Sequence, residues 1–287
     1  MKKIVMLLLC GGMLVACSTS NYSVKISNGN DTIISQGDFK ITKQDYFEYL
    51  LDSYGGSQVL QEALLSIADQ EKLDSEALNK KIEEKKTSFA QYYDNDLSKA
   101  AKAYGYESEE DYINQQIIPA CKIALLEENY IKENLDHLLD EYQVCRLKKI
   151  IVDKESTALS LIKKATSEDA FDQLMNDEEY KSNAEDADIV TKNSSLDDNL
   201  KDKLDELCAI DKDGVYSKAI KLSDDSYAVI YLYDTAKKDK QEYIDTLASD
   251  SHIQEEVDGA YLKKYHFTVN DSALKNQIKE ISDQYIE

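Results

Sequence analysis

Proline, tryptophan and histidine are nearly absent from this chain, and glycine is scarce. The 287 residues include one proline, no tryptophan, three histidines and nine glycines. This composition excludes collagen-like, mucin-like and other low-complexity classes and indicates a mostly helical protein. The sequence also contains no glycine-rich phosphate-binding loop and no Gly-x-Ser-x-Gly elbow, so nucleotide binding and serine-hydrolase chemistry have no support.

The few histidines and cysteines are not arranged as a metal site or a disulfide framework. His137, His252 and His266 are widely separated and have no partner at metal-ligand spacing, so we expect no metal and no other cofactor. Two of the five cysteines, Cys10 and Cys17, lie near the N-terminus. The remaining three are an odd number at wide spacing and lie in apolar patterns, so we interpret them as small buried hydrophobic residues: Cys121, Cys145 and Cys208.

The chain has far fewer basic than acidic side chains. There are 34 lysines and arginines against 56 aspartates and glutamates, which gives a net charge of −22. So acidic a chain, with no basic patch, is not expected to bind nucleic acid. Anionic lipid headgroups would also repel it, so attachment to a membrane would have to come from a covalent lipid.

The N-terminus has the layout of an export signal. Lys2 and Lys3 precede a short apolar run, which is below the roughly 20 residues needed to span a bilayer. The tetrad Leu-Val-Ala-Cys17 resembles a bacterial lipobox. We therefore predict a signal peptide at residues 1–16, lipidation of Cys17, and a lipidated tether at residues 17–36 on the extracytoplasmic face of a bacterial cell membrane. A plain secretory signal with an incidental cysteine is the alternative.

Two helical segments, residues 37–140 and 237–287, flank a segment of mixed α/β character at residues 141–236. Thr42 and Ser108 each begin a capping-box pattern. The pair Gly55-Gly56 is expected to end the first helix, and Pro119 is expected to kink or break a long helix that runs from Ser108 to Leu138.

The middle segment is predicted to contain a small sheet. Residues 142–152 and Tyr227–Tyr233 are rich in strand-forming residues, and residues 214–220 are predicted to pair with the second of these as a hairpin. Residues 177–188 are acidic and polar and are predicted to be a loop. The chain is expected to be helical again from Lys237 through Tyr265, and a terminal helix is expected to follow residues 266–271.

This order of segments, together with the lipobox, resembles the extracytoplasmic foldases of the PrsA and SurA type. The stretches that carry the resemblance are residues 41–47, 103–112, 170–174, 204–217 and 265–274. The resemblance implies an α+β, mostly helical fold. In such a fold, residues 37–140 and 237–287 form one helical chaperone domain, and a small parvulin-like prolyl isomerase module at residues 141–236 is inserted between them.

The module differs from the family at the positions where active parvulins carry their catalytic side chains. Where active parvulins carry a histidine in the first strand and another in the last, this chain has Lys149 and Ala228, and only Asp188 and Ile189 match the family's turn between them. Prolyl isomerisation has a barrier of about 18–20 kcal/mol set by amide resonance, and a tuned pocket lowers it by favouring the twisted amide. We therefore expect isomerase activity to be weak or lost. An active isomerase is the alternative.

Aromatic residues of the helical segments are the candidates for binding unfolded chains, because a tyrosine has a large apolar body and a polar tip. The alternative is that they are core or rim residues. The candidates are Tyr46, Tyr49, Tyr54, Tyr92, Tyr93 and Tyr112.

The resemblance implies unfolded or nascent secreted proteins as partners and attachment to the membrane through the N-terminal lipid. The sequence leaves open whether the chain forms a homodimer. A solute-binding lipoprotein is a less favoured alternative, because such proteins are rich in glycine turns and parallel strands. An adhesin or structural lipoprotein, which would bind no unfolded client, is also open.

Overall fold

The α+β, mostly helical class is confirmed by the computed structural model, which is 57% helical with a small antiparallel sheet. The structure describes Tyr22 and residues 25–286. The chain divides into two compact units, and the division falls inside one helix, after Glu62. The terminal unit comprises the residues up to Glu62 and those from His266 onward; the central unit is Ala63–Tyr265.

The terminal unit contains a β-hairpin followed by helical structure. Gly37, with a φ of +60°, lies in the tight turn that joins the two strands. The capping box predicted at Thr42 is confirmed, because the Thr42 N–H donates to Asp45 Oδ2 at 2.8 Å and the Asp45 N–H donates to Thr42 Oγ1 at 3.2 Å. The elements are β1 (Thr32–Gln36), β2 (Phe39–Thr42), α1 (Lys43–Leu50), a π-helical turn (Leu51–Gly55), the start of α2 (Gly56–Gln70) and α14 (Ser272–Ile281).

The prediction that Gly55-Gly56 ends the first helix is wrong. The π-helical turn leads directly into α2, so the chain stays helical through both glycines. The glycines instead permit a close approach of α14: a Cβ on Gly55 would lie 2.7 Å from Leu274 Cδ2. The Gly56 N–H donates to Gln277 Oε1 at 2.8 Å. A packing role therefore accounts for both residues.

Helices dominate the first half of the central unit. They pack around a core that contains Leu97, Ala100, Tyr112, Ile117 and Cys121. After α2 the helices are α3 (Ser75–Gln91), α4 (Leu97–Ala103), α5 (Glu109–Tyr112), α6 (Ile118–Glu133) and α7 (Leu135–Glu141).

The long helix predicted from Ser108 to Leu138 is interrupted twice. Ser108 caps its start, as predicted, by accepting a hydrogen bond from the Asp111 N–H at 3.0 Å. A π-helical turn at Ile113–Ile117 precedes Pro119, which then lies in the first turn of α6, where its missing N–H is tolerated. A second interruption at Asn134, which the sequence did not predict, separates α6 from α7.

A five-stranded antiparallel sheet forms the centre of residues 141–236, with the strand order β4-β3-β7-β5 and with β6 also paired to β7. The strands are β3 (Cys145–Val152), β4 (Ala184–Val190), β5 (Gly214–Val215), β6 (Ile220–Lys221) and β7 (Tyr227–Tyr233). The accompanying helices are α8 (Glu155–Lys164), α9 (Glu168–Met175), α10 (Asp198–Lys201) and α11 (Leu204–Cys208).

Two predictions for this sheet are corrected. The last part of the acidic stretch 177–188 belongs to strand β4, which pairs with β3 and buries only one side chain fully, that of Val190, so its polarity was mistaken for that of a loop. The strand predicted at 214–220 is two short strands, β5 and β6, each paired to a different part of β7. The antiparallel pairing is unlike the parallel strands expected of a solute-binding lipoprotein.

The segment predicted to be helical from Lys237 through Tyr265 contains two helices, α12 (Lys240–Ala248) and α13 (Ser251–Lys264). Asp250 begins the second helix, because its side chain accepts hydrogen bonds from the His252 and Ile253 N–H groups. Both helices pack against α6. The domain boundaries at residues 140 and 236 stay a prediction.

Two carboxyl groups are buried where α6 and α13 pack. Glu127 on α6 is 8% exposed, and burial followed by repulsion from Asp258 raises its pKa to about 8, although Lys81 lowers it. Asp258 on α13 is partly buried, and burial raises its pKa to about 7. These groups bind protons in the folded protein in a pH range where ordinary carboxyl groups are ionised.

Candidate functional site

The sheet of residues 141–236 has two covered faces because side chains alternate along each strand. One face carries Leu147, Ala228 and Ile230 and is packed against residues of α10 and α11. The opposite face carries Ile150 and Val229 and is packed against α8 and α9. Both faces are therefore occupied by the protein's own apolar side chains.

The three positions that correspond to the parvulin site lie on three adjacent strands. Lys149 pairs in register with Ile230 on β7, two residues from Ala228, so Lys149 and Ala228 share a face. The Lys149 ammonium forms an ion pair with Glu185 at 2.9 Å and its side chain is 15% exposed. Ala228 is 1% exposed. Neither position offers a hydrogen-bonding group comparable to an imidazole.

Asp188 is turned away from that face. It lies on β4 at an irregularity in the β3–β4 pairing and has a φ of +54°. Its Oδ1 atom is 2.7 Å from Arg146 Nε, on the neighbouring strand. Lys149 and Asp188 thus bind different partners, and the structure does not assemble the pocket that the sequence resemblance suggested.

One polar cluster of the module was not predicted. Arg146 and Lys148 alternate along β3 and point to the face opposite Lys149. Lys148 Nζ donates to Glu168 at 2.9 Å and to Asp172 at 2.7 Å. Burial alone would lower the Lys148 pKa, but these two hydrogen bonds outweigh it and raise the pKa. The alternation Arg-Leu-Lys in the sequence was the available signal.

Arg146 connects the sheet to α12. Its guanidinium binds Glu242 of α12 and lies over the rings of Tyr233 and Tyr243, 5.6 and 5.5 Å from their centroids. The Tyr243 hydroxyl in turn donates to Asp234 Oδ2 at 3.1 Å. This ionic and aromatic cluster holds the end of the sheet against α12, so its role is positional.

Large apolar side chains are exposed mainly in the terminal unit. Tyr46, Tyr49 and Tyr54, three of the predicted client-binding residues, are 49%, 48% and 62% exposed. Tyr46 and Tyr49 are one helical turn apart on α1, and their rings stack with centroids 6.4 Å apart. Leu50, 37% exposed, lies one turn beyond Tyr46. The helix therefore presents a half-exposed apolar stripe.

The hairpin carries a second apolar face in the same unit. Ile34 pairs with Ile41 and Gln36 pairs with Phe39, so these four side chains share one side of the two strands. Ile34 is 51% exposed and Phe39 is 54% exposed. We call the exposed residues of α1, of the turn that follows and of the hairpin the terminal apolar surface: Ile34, Phe39, Tyr46, Tyr49, Leu50 and Tyr54.

The remaining candidate tyrosines lie in the central unit and differ in how exposed they are. Tyr92 is 83% exposed and Tyr93 is partly buried. Tyr112 is 2% exposed, stacks on Tyr104 at 5.6 Å and meets the edge of Phe89 at 5.9 Å. The choice of Tyr112 as a client-binding residue is therefore wrong, because its ring is part of an aromatic core that sequence periodicity alone could not tell from a groove.

The predicted lipidation site, Cys17, and the signal peptide lie outside the described residues. Within Tyr22 and residues 25–286, each helix is too short or too polar to cross a membrane. The same part of the chain contains no group of three or more histidine, cysteine or acidic side chains arranged to hold a metal ion.

Fold and site together describe an α+β, mostly helical protein with a small covered antiparallel sheet and an exposed aromatic surface.

No family model matches the chain, and no curated protein matches it. Several solved structures do. A peptidylprolyl isomerase (PrsA) from Bacillus cereus is 17% identical, with a TM-score of 0.46, over 89% of this chain and 100% of that one. PrsA from Bacillus subtilis is 22% identical, with a TM-score of 0.44, over 88% and 99% of the two chains.

A third match, the foldase protein PrsA from Streptococcus pneumoniae, is 19% identical with a TM-score of 0.38 and covers 89% of this chain and 100% of that chain. The chain is thus similar to PrsA structures along most of its length, as the sequence analysis predicted. At these identities the likeness concerns the fold.

Proposed function

We propose that this protein is a lipid-anchored extracytoplasmic foldase that holds unfolded secreted proteins and has weak or no prolyl isomerase activity. The observation that carries the proposal is the terminal apolar surface. Exposed aromatic side chains of this size, grouped in one small unit, are a feature of binding surfaces more than of ordinary protein surface. Foldase and peptidylprolyl isomerase are also the activities printed for the similar structures.

The chemistry of tyrosine suits a client of variable sequence. Its ring provides apolar contact area with few rotatable bonds, and its hydroxyl can bind the peptide groups of an unfolded chain. The net charge of −22 would keep a complex with an aggregation-prone client soluble. Lipidation at Cys17 would hold this surface at the membrane face where secreted chains emerge.

Weak or absent isomerase activity is supported by the two positions that replace the family histidines. Ala228 is buried and has no polar atom in its side chain, and the Lys149 charge is neutralised by Glu185. A pocket built from these groups lacks the hydrogen-bond network that would favour a twisted amide over a planar one.

Client binding is tested with residues 18–287 and a permanently unfolded, fluorescently labelled protein whose anisotropy reports binding. Replacing Tyr46, Tyr49 and Tyr54 together by serine should weaken binding at least about tenfold, which corresponds to about 1.4 kcal/mol. Leu159→Ser is the matched control, because Leu159 is 42% exposed but lies in the module. Equal loss in both variants, or in neither, would remove the terminal apolar surface as the binding site.

Isomerase activity is tested on the same chain with an Xaa-Pro peptide and an authentic parvulin measured in parallel. We expect no rate enhancement from a preparation shown to be folded by circular dichroism. An enhancement that disappears in Lys149→Met would instead establish an active parvulin site without the histidine pair.

A further inference from the structure

Two cysteines that are 63 positions apart in the sequence lie side by side in the fold. Cys145 begins strand β3 and is 6% exposed; Cys208 ends helix α11 and is partly buried. Both belong to the same apolar core, where α11 packs against β3. The interpretation of these residues as unrelated buried hydrophobic side chains is therefore incomplete.

A hydrogen bond fixes the Cys208 thiol beside the start of β3. The Cys208 thiol donates to the carbonyl oxygen of Gln143, two residues before Cys145, at 3.0 Å. The contact with Cys208, followed by burial, raises the pKa of Cys145. Both cysteines are free thiols in this structure. A disulfide between them forms when the two sulfur atoms approach to about 2.05 Å.

The cysteines differ in how easily a reagent can reach them. Cys208 is partly exposed, whereas Cys145 and the third free cysteine, Cys121, are buried. Cys121 is 3% exposed and belongs to the separate helical core. A small oxidant would therefore meet Cys208 first, and the neighbour able to resolve the reaction is Cys145.

We propose that Cys145 and Cys208 are a redox pair that forms an internal disulfide by exchange with a small-molecule disulfide. The Cys208 thiol loses its proton, and its sulfur attacks one sulfur of the reagent, which releases the first reagent thiolate to take up a proton. Cys145 then loses its proton and attacks Cys208 Sγ, which releases the second reagent thiol. Two protein thiols are oxidised, and one reagent disulfide is reduced to two thiols.

The disulfide would link α11 to β3 and close a loop of the chain from residue 145 to residue 208. Cross-linking a long loop restricts the unfolded chain more than the folded one, and the expected rise in melting temperature is on the order of 5–10 °C. Export from the cell, which is part of the proposed function, would place the pair in an oxidising compartment. The exchange chemistry itself needs only this geometry.

The test uses residues 18–287, which contain all described residues and only three cysteines. The reduced, folded protein is incubated with oxidised glutathione, and the remaining thiols are counted by alkylation and mass spectrometry. Trypsin then releases Cys145 within residues 133–146 and Cys208 within residues 204–212, so a linked pair is identified directly. We expect this linked pair, one remaining thiol at Cys121 and a higher melting temperature. Dithiothreitol should restore three free thiols and the original melting temperature.

Cys121→Ser is the matched control and should form the same linked peptides. Cys208→Ser should form no internal disulfide and show no oxidant-dependent change in melting temperature. A stable glutathione adduct at Cys208, a disulfide that includes Cys121, or three unreacted thiols in the folded wild-type chain would each overturn the proposal. If a variant fails to fold, oxidation of the wild-type chain alone decides the proposal. The result of this oxidation experiment does not depend on whether the protein binds unfolded clients.

Discussion

The buried carboxyl groups Glu127 and Asp258 should make the folded protein less stable as the pH rises from 6 to 8. Their folded pKa values of about 8 and about 7 lie above the values of about 4.3 and about 3.9 expected in the unfolded chain. In this window the folded state binds protons that the unfolded state has released. Stability therefore falls with rising pH, and the contribution is fully present only below the unfolded pKa values.

The size of the effect follows from proton linkage. For Glu127, which is 8% exposed, a shift from about 4.3 to about 8 gives a loss of about 2 kcal/mol between pH 6 and pH 8. Asp258 contributes in the same direction. The two contributions are less than additive, because part of the Glu127 shift is repulsion from Asp258 itself.

The measurement is urea unfolding of residues 18–287 at the two pH values, followed by far-ultraviolet circular dichroism. Glu127→Gln keeps the side-chain shape and cannot ionise, so its free energy of unfolding should change less with pH than that of the wild type. Glu128→Gln is the matched control, because the neighbouring Glu128 forms an ion pair with Lys81 at 2.5 Å. This control should keep the full pH dependence.

Two results would refute this reasoning. One is a wild-type free energy of unfolding that is equal or higher at pH 8 than at pH 6. The other is a Glu127→Gln variant with the wild-type pH dependence, which would show that other groups titrate in this window.

Two further substitutions test the packing and the ionic cluster by the same unfolding assay. Gly55→Ala should change stability by less than about 1 kcal/mol, because the atom 2.7 Å from the added Cβ is Leu274 Cδ2, the end of a flexible side chain, and alanine favours the helix; a larger loss would mean that Leu274 cannot move. Lys148→Met should change stability by less than about 1 kcal/mol, since its partners Glu168 and Asp172 stay 45% and 43% exposed. A larger loss would show that the freed carboxylates are poorly solvated.

Local signals in the sequence predicted the helical elements well where one short motif decides the structure. The capping boxes at Thr42 and Ser108 mark real helix starts, because they depend on side chains only three residues apart. The strand content of β3 and β7 follows from their apolar and β-branched residues. These elements and the mostly helical α+β class could be predicted without tertiary information.

Elements whose structure depends on distant residues could not be predicted in this way. Gly55 and Gly56 look like a helix stop, and only the approach of Gln277 and Leu274 makes them a packing site. The acidic strand β4 owes its structure to pairing with β3, since its own residues have weak strand propensity. The proximity of Cys145 and Cys208 in one apolar core is of the same kind, because their spacing in the sequence does not indicate it.

In the candidate site, too, composition indicated the kind of residue, and only the tertiary structure showed which of these residues are exposed. The sequence identified aromatic residues as the binding chemistry, and exposure separates Tyr46, Tyr49 and Tyr54 from the buried Tyr112. Charge alone would have pointed to Arg146 as a functional residue of the module. Its partners show otherwise, because Glu242 of α12 binds the guanidinium and the rings of Tyr233 and Tyr243 lie against it, so its charge is already engaged within the protein. In the module, Arg146 and Lys148 are thus bound by carboxylates of the protein itself, while the positions expected to carry chemistry are apolar or neutralised.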